Sequence, residues 1–234
     1  MTLFGGEKTA IKGMIFMLLS AFFAGMMNTM VRHVSTDLHT FEIVFFRLLF
    51  GFLFFIPVFM RHGLKPLKTE RFGLHLLRSS ITVCSMSLYF TALAMAPLAK
   101  VIALNFSGPL ISTVIAVIVL GEIIRVRRII ALVIGFAGAI VIVQPGFSEL
   151  DVGSMFAMAS ATTWAILLVI VKILSRTESS VTLTIYGSLL AMPIAFVAAC
   201  FVWIWPTWEQ LATLALMGCL GSLALLCMAQ SFRN

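Results

Sequence analysis

The chain has 234 residues, 61% apolar and 11% charged, with a mean hydropathy of +1.11. Soluble domains are roughly 45–50% apolar and about 25% charged, so this composition excludes a water-soluble globular protein. The net charge of +7 does not indicate a nucleic-acid partner, because the basic residues lie in short connectors between apolar runs.

Eight apolar runs of membrane-spanning length follow one another along the chain. About 20 helical residues cross a bilayer core. Continuous runs without period-two polar alternation exclude barrel strands, so we expect an all-α polytopic membrane protein with eight transmembrane helices. The predicted spans cover residues 13–31, 41–60, 79–99, 101–121, 129–148, 152–171, 179–208 and 210–232.

The basic residues of the connectors lie mostly on one side of these spans. Thirteen of the 16 lysines and arginines fall on the side of the N-terminus, including Arg78 just before the third span. The opposite side carries Arg32, Lys100 and four acidic residues. Positively charged connectors stay in the cytoplasm, so we expect a multi-pass protein of the inner (cytoplasmic) membrane with a cytoplasmic N-terminus.

Cysteine and histidine show no metal-ligand spacing. The four cysteines fall within spans and are expected to pack as small apolar residues, and the histidines lie at interfaces or loops. No nucleophile–base constellation lies within the spans, which argues against an intramembrane enzyme. We therefore expect no metal site and no cofactor.

The chain contains an internal repeat. The segment from Gly13 resembles the segment from Gly153 at an offset of 140 residues, and Pro57 and Pro193 follow at an offset of 136. Five predicted spans precede the second copy, so the second copy must be inverted in the membrane, a construction typical of secondary transporters. We expect a first five-helix repeat over residues 1–148 and an incomplete second repeat over 149–234.

The second copy is two spans short of the first. Either the sequence is a fragment, or the protein completes itself by association, for example as a homodimer. Of these two alternatives we favour truncation.

Short motifs in a fixed order carry a family resemblance. They are LHTFEI at 38–43, FR at 46–47, YFTAL at 89–93, APLA at 96–99, PL at 109–110, GE at 121–122, GFAG at 135–138, QPG at 144–146 and AQSFR at 229–233. Over essentially its whole length the chain resembles the EamA-type, ten-helix members of the drug/metabolite transporter superfamily. Residues 41–47 are also similar to those of S-adenosylmethionine carriers, a similarity too local to assign a substrate.

The resemblance implies transport by alternating access of small metabolites such as amino acids, nucleotide-derived compounds or vitamins. The alternative is a non-transporting membrane scaffold or an inactive fragment of such a transporter. The spans contain no deep Asp or Glu, which argues against a proton-coupled exporter of organic cations and favours exchange or facilitated transport.

Arg47 is the sharpest candidate for substrate binding. It lies about six residues inside the second span, where a cation costs a few kcal/mol unless it is paired or hydrated. It could contact an anionic or zwitterionic substrate, snorkel outward, pair with Glu42, or serve folding and topology.

Four further residues complete the expected substrate-binding set. Asn28 and Asn105 would donate and accept hydrogen bonds, and Pro109 should kink the fourth span near Asn105. Trp164 and Tyr186 could stack on a planar or cationic group. For each of the four, ordinary interhelical packing is the alternative.

Overall fold

The computed structural model describes residues 3–62, 69, 71–121, 126–143, 151–178 and 180–233, and the structural statements below refer to these residues. They form helices and short connectors without strands, which confirms the all-α prediction. The helices are α1 (Leu3–Val34), α2 (Thr40–His62), α3 (Phe72–Met95), α4 (Leu98–Asn105), α5 (Ser107–Leu120), α6 (Val126–Val143), α7 (Val152–Leu174), α8 (Ser180–Cys200) and α9 (Trp208–Arg233).

Much of the outer surface is apolar. The side chains of Ile118 on α5 and Ile134 on α6 are 77% and 65% exposed, a surface that suits lipid rather than water. By length and composition, five helical stretches in the described part can cross a membrane, which agrees with a polytopic membrane protein. They are Ile11–Val34, Phe72–Met95, Leu98–Leu120, Val152–Leu174 and Trp208–Met228.

The fourth predicted span is two helices rather than one. Helix α4 ends at Asn105, and α5 begins at Ser107 after a single turn residue, Phe106. Pro109 has no N–H to donate to the carbonyl of Asn105, and its ring would clash with that carbonyl. The expected kink therefore lies at Phe106, one turn before the proline.

Two predicted boundaries were wrong. Helix α3 begins at Phe72, seven residues before the predicted start at 79, and so includes Arg78, which the charge pattern assigned to a connector. Arg78 is accommodated because its Nη1 donates to the carbonyl of Leu183 on α8 at 2.6 Å. Helix α8 ends at Cys200, so the last eight residues of the predicted seventh span lie in the connector to α9 or at the first residue of α9.

The helices pack in pairs, and the expected repeat relates each pair in the structure to another pair or to itself. The most extensive contacts join α1 to α9 and α3 to α7, and the α2–α9 contact is matched by α3–α8. If α1, α2 and α3 correspond to α7, α8 and α9, each of these pairs maps onto its counterpart, and the α2–α8 pair maps onto itself. This pattern is what a two-fold relation between the two copies would produce.

Glycines allow the closest of these approaches. A Cβ added to Gly218 on α9 would lie 2.6 Å from Phe50 Cβ on α2. A Cβ added to Gly153 on α7 would lie 2.7 Å from Ala96 Cβ at the end of α3. Both distances are too short for real carbon contacts, so the helix backbones meet because these residues have no side chain.

One charged contact ties α4 to α7. Asp151 caps α7, accepting the backbone N–H of Ser154 at 2.7 Å, and also accepts Lys100 Nζ at 3.0 Å. These hydrogen bonds, from Ser154 first and then Lys100, stabilise the carboxylate and lower the pKa of Asp151 from 3.8 to about 2.

We predict that Gly218→Ala lowers the free energy of unfolding in detergent by about 1–3 kcal/mol, because the new methyl group overpacks the α2–α9 contact. The control is Gly25→Ala, whose Cβ would meet nothing within 4 Å. There the better helix propensity of alanine should leave stability unchanged or raise it by up to about 1 kcal/mol. Equal melting temperatures for the two variants would contradict the close approach at Gly218.

We predict that the contribution of Asp151 to stability is lost on acidification. Since its folded-state pKa is depressed, this contribution is present above the ordinary pKa of 3.8 and disappears as the pH falls towards about 2. Thermal melts at descending pH should therefore converge for the wild type and Asp151→Ala. Asp151→Asn, which keeps the capping oxygen, should lie between them at neutral pH; a wild-type melt at neutral pH for Asp151→Ala would refute the role of the cap.

Candidate functional site

Arg47 lies where α1, α2, α3 and α9 meet. Its Nη1 donates a weak hydrogen bond to Met86 Sδ on α3 at 3.5 Å. A Cβ added to Gly221 on α9 would lie 3.2 Å from Arg47 Nη2 and 2.9 Å from Met27 Sδ on α1. The guanidinium and the thioether therefore meet above a glycine, whose missing side chain leaves the room that they occupy.

Arg47 is half-buried, and the described residues offer no counter-charge to it. Its Nε is inaccessible and has no hydrogen-bond partner, and no described carboxylate lies within ion-pair distance. A guanidinium carries five N–H donors, so most of its bonding capacity is unused. The Nε atom of Arg47 therefore does not reach solvent.

Glu42 is not the partner of Arg47. Residues five apart on a helix point about 140° away from each other. Glu42 is fully buried, and its Oε1 accepts the backbone N–H of Ile204 in the α8–α9 connector. The pairing of Arg47 with Glu42, left open by the sequence, is therefore wrong.

An amide–phenol pair lies beside Arg47 on the same helices. Asn28 is 8% exposed, and its Nδ2 donates to Tyr89 Oη at 3.0 Å, while its Oδ1 has no partner. Asn28 follows Met27 on α1, and Tyr89 lies one turn after Met86 on α3. We call Asn28, Arg47, Met86, Tyr89 and Gly221 the Arg47 cluster.

Asn105 and Trp164 lie elsewhere. Asn105 Nδ2 donates to the carbonyl of Val101 in its own helix at 3.4 Å. Trp164 on α7 is 41% exposed, and its ring lies 3.6 Å from the position that a Cβ of Gly108 would occupy. These two residues thus belong to the region where α4 and α5 pack on α7, and no hydrogen bond in the described part joins them to Arg47.

Tyr186 belongs to a third group. Its ring stacks on His75 with centroids 4.6 Å apart and meets Phe72 edge-on at 6.3 Å. This contact lies at the start of α3, on the side of the N-terminus. Asn28 and Arg47 thus bond to side chains of α3 that lie one turn apart, Tyr89 and Met86, whereas Tyr186 lies in another group, and the role of each in binding stays a prediction.

Two polar side chains of these clusters, Tyr89 and His75, were not singled out by the sequence. Tyr89 was quoted only as part of a motif, and His75 was expected at an interface or in a loop, whereas it is fully buried in α3. The composition could have drawn attention to Tyr89, because the chain has only 2 tyrosines but 21 phenylalanines. A tyrosine in so apolar a chain indicates a hydroxyl that has a polar partner.

The Arg47 cluster has the chemistry to bind an oxygen-rich anion or zwitterion. Arg47 offers N–H donors, Asn28 offers a free carbonyl oxygen, and the Tyr89 hydroxyl can donate to a further acceptor. Groups of three or more His, Cys, Asp or Glu that could hold a metal are absent from the described residues.

Comparison with known proteins places the chain among membrane transporters. Residues 11–144 match the profile of the EamA-like transporter family. The S-adenosylmethionine uptake transporter of Rickettsia bellii (strain RML369-C) is 29% identical over 225 residues, which are 96% of this chain and 77% of that protein. The riboflavin transporter of Vibrio cholerae serotype O1 is 28% identical over 212 residues, 89% of this chain and 71% of that protein.

A solved crystal structure shares the fold. It has a TM-score of 0.66 at 16% sequence identity, and the superposition covers 96% of this chain and 79% of that chain. At this level of identity the likeness concerns the arrangement of helices alone.

We predict that Tyr89→Phe destabilises the protein by about 1–3 kcal/mol, because the Asn28 amide loses its acceptor while it stays buried. The double variant Asn28→Leu with Tyr89→Phe should recover part of this loss, since both polar partners are then gone. Thermal unfolding of the four proteins of this cycle measures the coupling. Thr29→Ala, at an exposed neighbouring position, serves as the control, and additive effects in the cycle would disprove the pairing.

Proposed function

This chain belongs to the EamA-like transporter family and is a small-metabolite transporter, and we propose that the Arg47 cluster binds its solute. The observation that carries the proposal is the half-buried guanidinium of Arg47, which has an inaccessible, unpartnered Nε and no described carboxylate in reach. The relatives are transporters, which speaks against an enzyme and disfavours a non-transporting scaffold.

The energetics of a buried cation support this role. In a medium of low dielectric an unpaired charge is costly, and the cost falls when an anion with matching hydrogen-bond geometry arrives. A carboxylate can accept two N–H groups of a guanidinium at once. Arg47 thus gains most from an anionic group of the solute, which provides the driving force for binding.

The proposed solute joins an oxygen anion to a planar heterocycle. Two of the relatives are named for S-adenosylmethionine and riboflavin, each of which connects a planar nitrogen heterocycle to a polar chain. S-adenosylmethionine also carries a carboxylate, which suits Arg47, whereas riboflavin carries none. We therefore take S-adenosylmethionine as the first candidate, with its carboxylate on Arg47 and its polar groups on Asn28 and Tyr89.

The same proposal includes the expected architecture. Residues 1–148 and 149–234 would act as two inverted repeats of a protein of the inner membrane with a cytoplasmic N-terminus, and the repeats would expose the Arg47 cluster to either side in turn. The exchange of α1–α9 for α3–α7 contacts supports such a relation. Asn105, Trp164 and Tyr186 would line the route at the contacts between the repeats; a homodimer stays a prediction.

We predict that Arg47→Met lowers uptake of radiolabelled S-adenosylmethionine into proteoliposomes by about tenfold to a hundredfold, the equivalent of about 1.5–3 kcal/mol for a charge-assisted hydrogen bond. Arg47→Lys should retain part of the uptake, because it keeps the charge but loses the bidentate geometry. Scintillation-proximity binding to the purified variants separates solute affinity from flux.

The matched control is Lys12→Met, which removes a cation from an exposed position on α1 and should leave uptake unchanged. Wild-type uptake by Arg47→Met would reject the binding role of Arg47. A wild-type protein that carries riboflavin but not S-adenosylmethionine would reject selection through the carboxylate.

A further inference from the structure

A second polar cluster lies at the N-terminal side of the molecule, away from Arg47. His75, in the first turn of α3, is fully buried, and neither of its ring nitrogens has a hydrogen-bond partner. Its Nε2 lies 3.9 Å from Glu178 Oε1, which is too far for a hydrogen bond but close enough for the carboxylate to attract the ring once the ring is protonated. Buried polar groups are nearly always satisfied, so this imidazole requires an explanation.

Glu178 joins the two repeats at this point. It lies in the α7–α8 connector, and its Oε1 accepts the hydroxyl of Thr69, just before α3, at 2.6 Å. Glu42 makes the equivalent link at the opposite side of the molecule, where it accepts the backbone N–H of Ile204 in the α8–α9 connector. Each glutamate thus binds the connector that precedes the third helix of the other repeat.

The two glutamates are related by the internal repeat. Glu42 and Glu178 are separated by 136 residues. Their links cross between the repeats in the reciprocal way that a two-fold axis requires, because each glutamate reaches the equivalent connector of the other copy. The same separation relates Gly51 to Gly187 and Pro57 to Pro193.

The two links differ in their donors and in the presence of a histidine beside Glu178. Among the described residues, no histidine approaches the Glu42 carboxylate within 4.0 Å, whereas His75 does approach Glu178. The link at the N-terminal side can therefore respond to protons, because an imidazole gains a positive charge when it binds one.

The groups around His75 determine what a proton would do. Glu178 faces it from the α7–α8 connector and attracts a charged ring, Arg78 lies one turn further along α3 and repels it, and Tyr186 on α8 stacks on the ring. Apolar side chains of α3, α7 and α8 pack beside this cluster and limit access of water to it. They are Leu74, Ile81, Ile170, Leu174 and Leu183.

We propose that His75 and Glu178 form a proton-binding site, and that H⁺ from the N-terminal side is the ion that biases this transporter between its conformations. The proton adds to the free ring nitrogen, so both nitrogens become donors and Nε2–H can close the 3.9 Å gap to the carboxylate. Protonation strengthens the link between the repeats and holds this end of the molecule closed, while deprotonation releases it.

This inference rests on the proposed transport function, and it revises the expectation of exchange or facilitated transport. That expectation followed from the absence of a deep carboxylate in the spans. A buried imidazole beside a connector carboxylate accomplishes the same charge change without one.

The test measures the distance between the repeats without any solute. In a cysteine-free background, spin labels are placed at the exposed positions Lys12→Cys on α1 and Thr177→Cys after α7, and the protein is studied in lipid nanodiscs by double electron–electron resonance. Lowering the pH from about 8 to about 5.5 should shift the distribution to shorter distances, with a closed-to-open ratio that changes at most about tenfold per pH unit for one proton.

Variants of His75 and Glu178 test whether these two residues cause the distance shift. His75→Gln should abolish the shift and Glu178→Gln should reduce it, whereas His33→Gln, at an exposed position near the end of α1, should retain it. An unchanged shift in His75→Gln, or no shift in the wild type, overturns the proposal.

Nitrogen-15 spectra of the wild-type protein with ring-labelled histidine add a second readout. This readout needs no variant, so it is unaffected if a variant fails to fold. The His75 signal should move from that of a neutral ring towards that of a charged ring as the pH is lowered from about 8 to about 5.5, and a signal that stays neutral throughout overturns the proposal. Neither readout uses a solute, so failure of the S-adenosylmethionine assay and failure of the proton site are distinguishable.

Discussion

Hydrocarbon offers no hydrogen bonds, so every polar group of this chain in the bilayer must find its partner within the protein. The helices satisfy the backbone, and most buried polar side chains turn to backbone carbonyls or amides of a neighbouring helix or connector. Ser20 donates to the carbonyl of Ala224, Arg78 donates to that of Leu183, and Glu42 accepts from Ile204. Some buried atoms in the described part of the chain nevertheless lack a partner, and His75 is the side chain among them in which neither polar atom has one.

Close packing of glycines explains why these polar groups meet at all. Gly218 and Gly221 on α9 bring that helix against α2 and α1, and Gly187 on α8 receives the guanidinium of Arg78. Arg47 and Arg78 therefore each lie over a glycine of the other proposed repeat, Arg47 at the α2–α9 contact and Arg78 at the α3–α8 contact. Steric fit and electrostatics act at the same two interfaces, which are counterparts under the proposed two-fold relation.

The sequence predicted the helical class and the order of the spans, because hydropathy and charge are local properties that determine how a segment inserts in a bilayer. It placed the start of α3 too late, since a rule that ends spans at charges cannot foresee that α8 accommodates Arg78. It also missed the pairing of Asn28 with Tyr89, which are 61 residues apart. Such pairs depend on which helix faces meet, and that choice is made by the packing of the whole bundle.

The link at Glu42 has a consequence for how this protein can diverge. Ile204 contributes only its main-chain amide, while its side chain is 58% exposed. Any residue other than proline at that position supplies the same donor. The sequence of the connector can therefore change while the hydrogen bond to Glu42 is kept. Covariation between aligned positions would not detect this contact, and similarity searches that weight side chains would undervalue it.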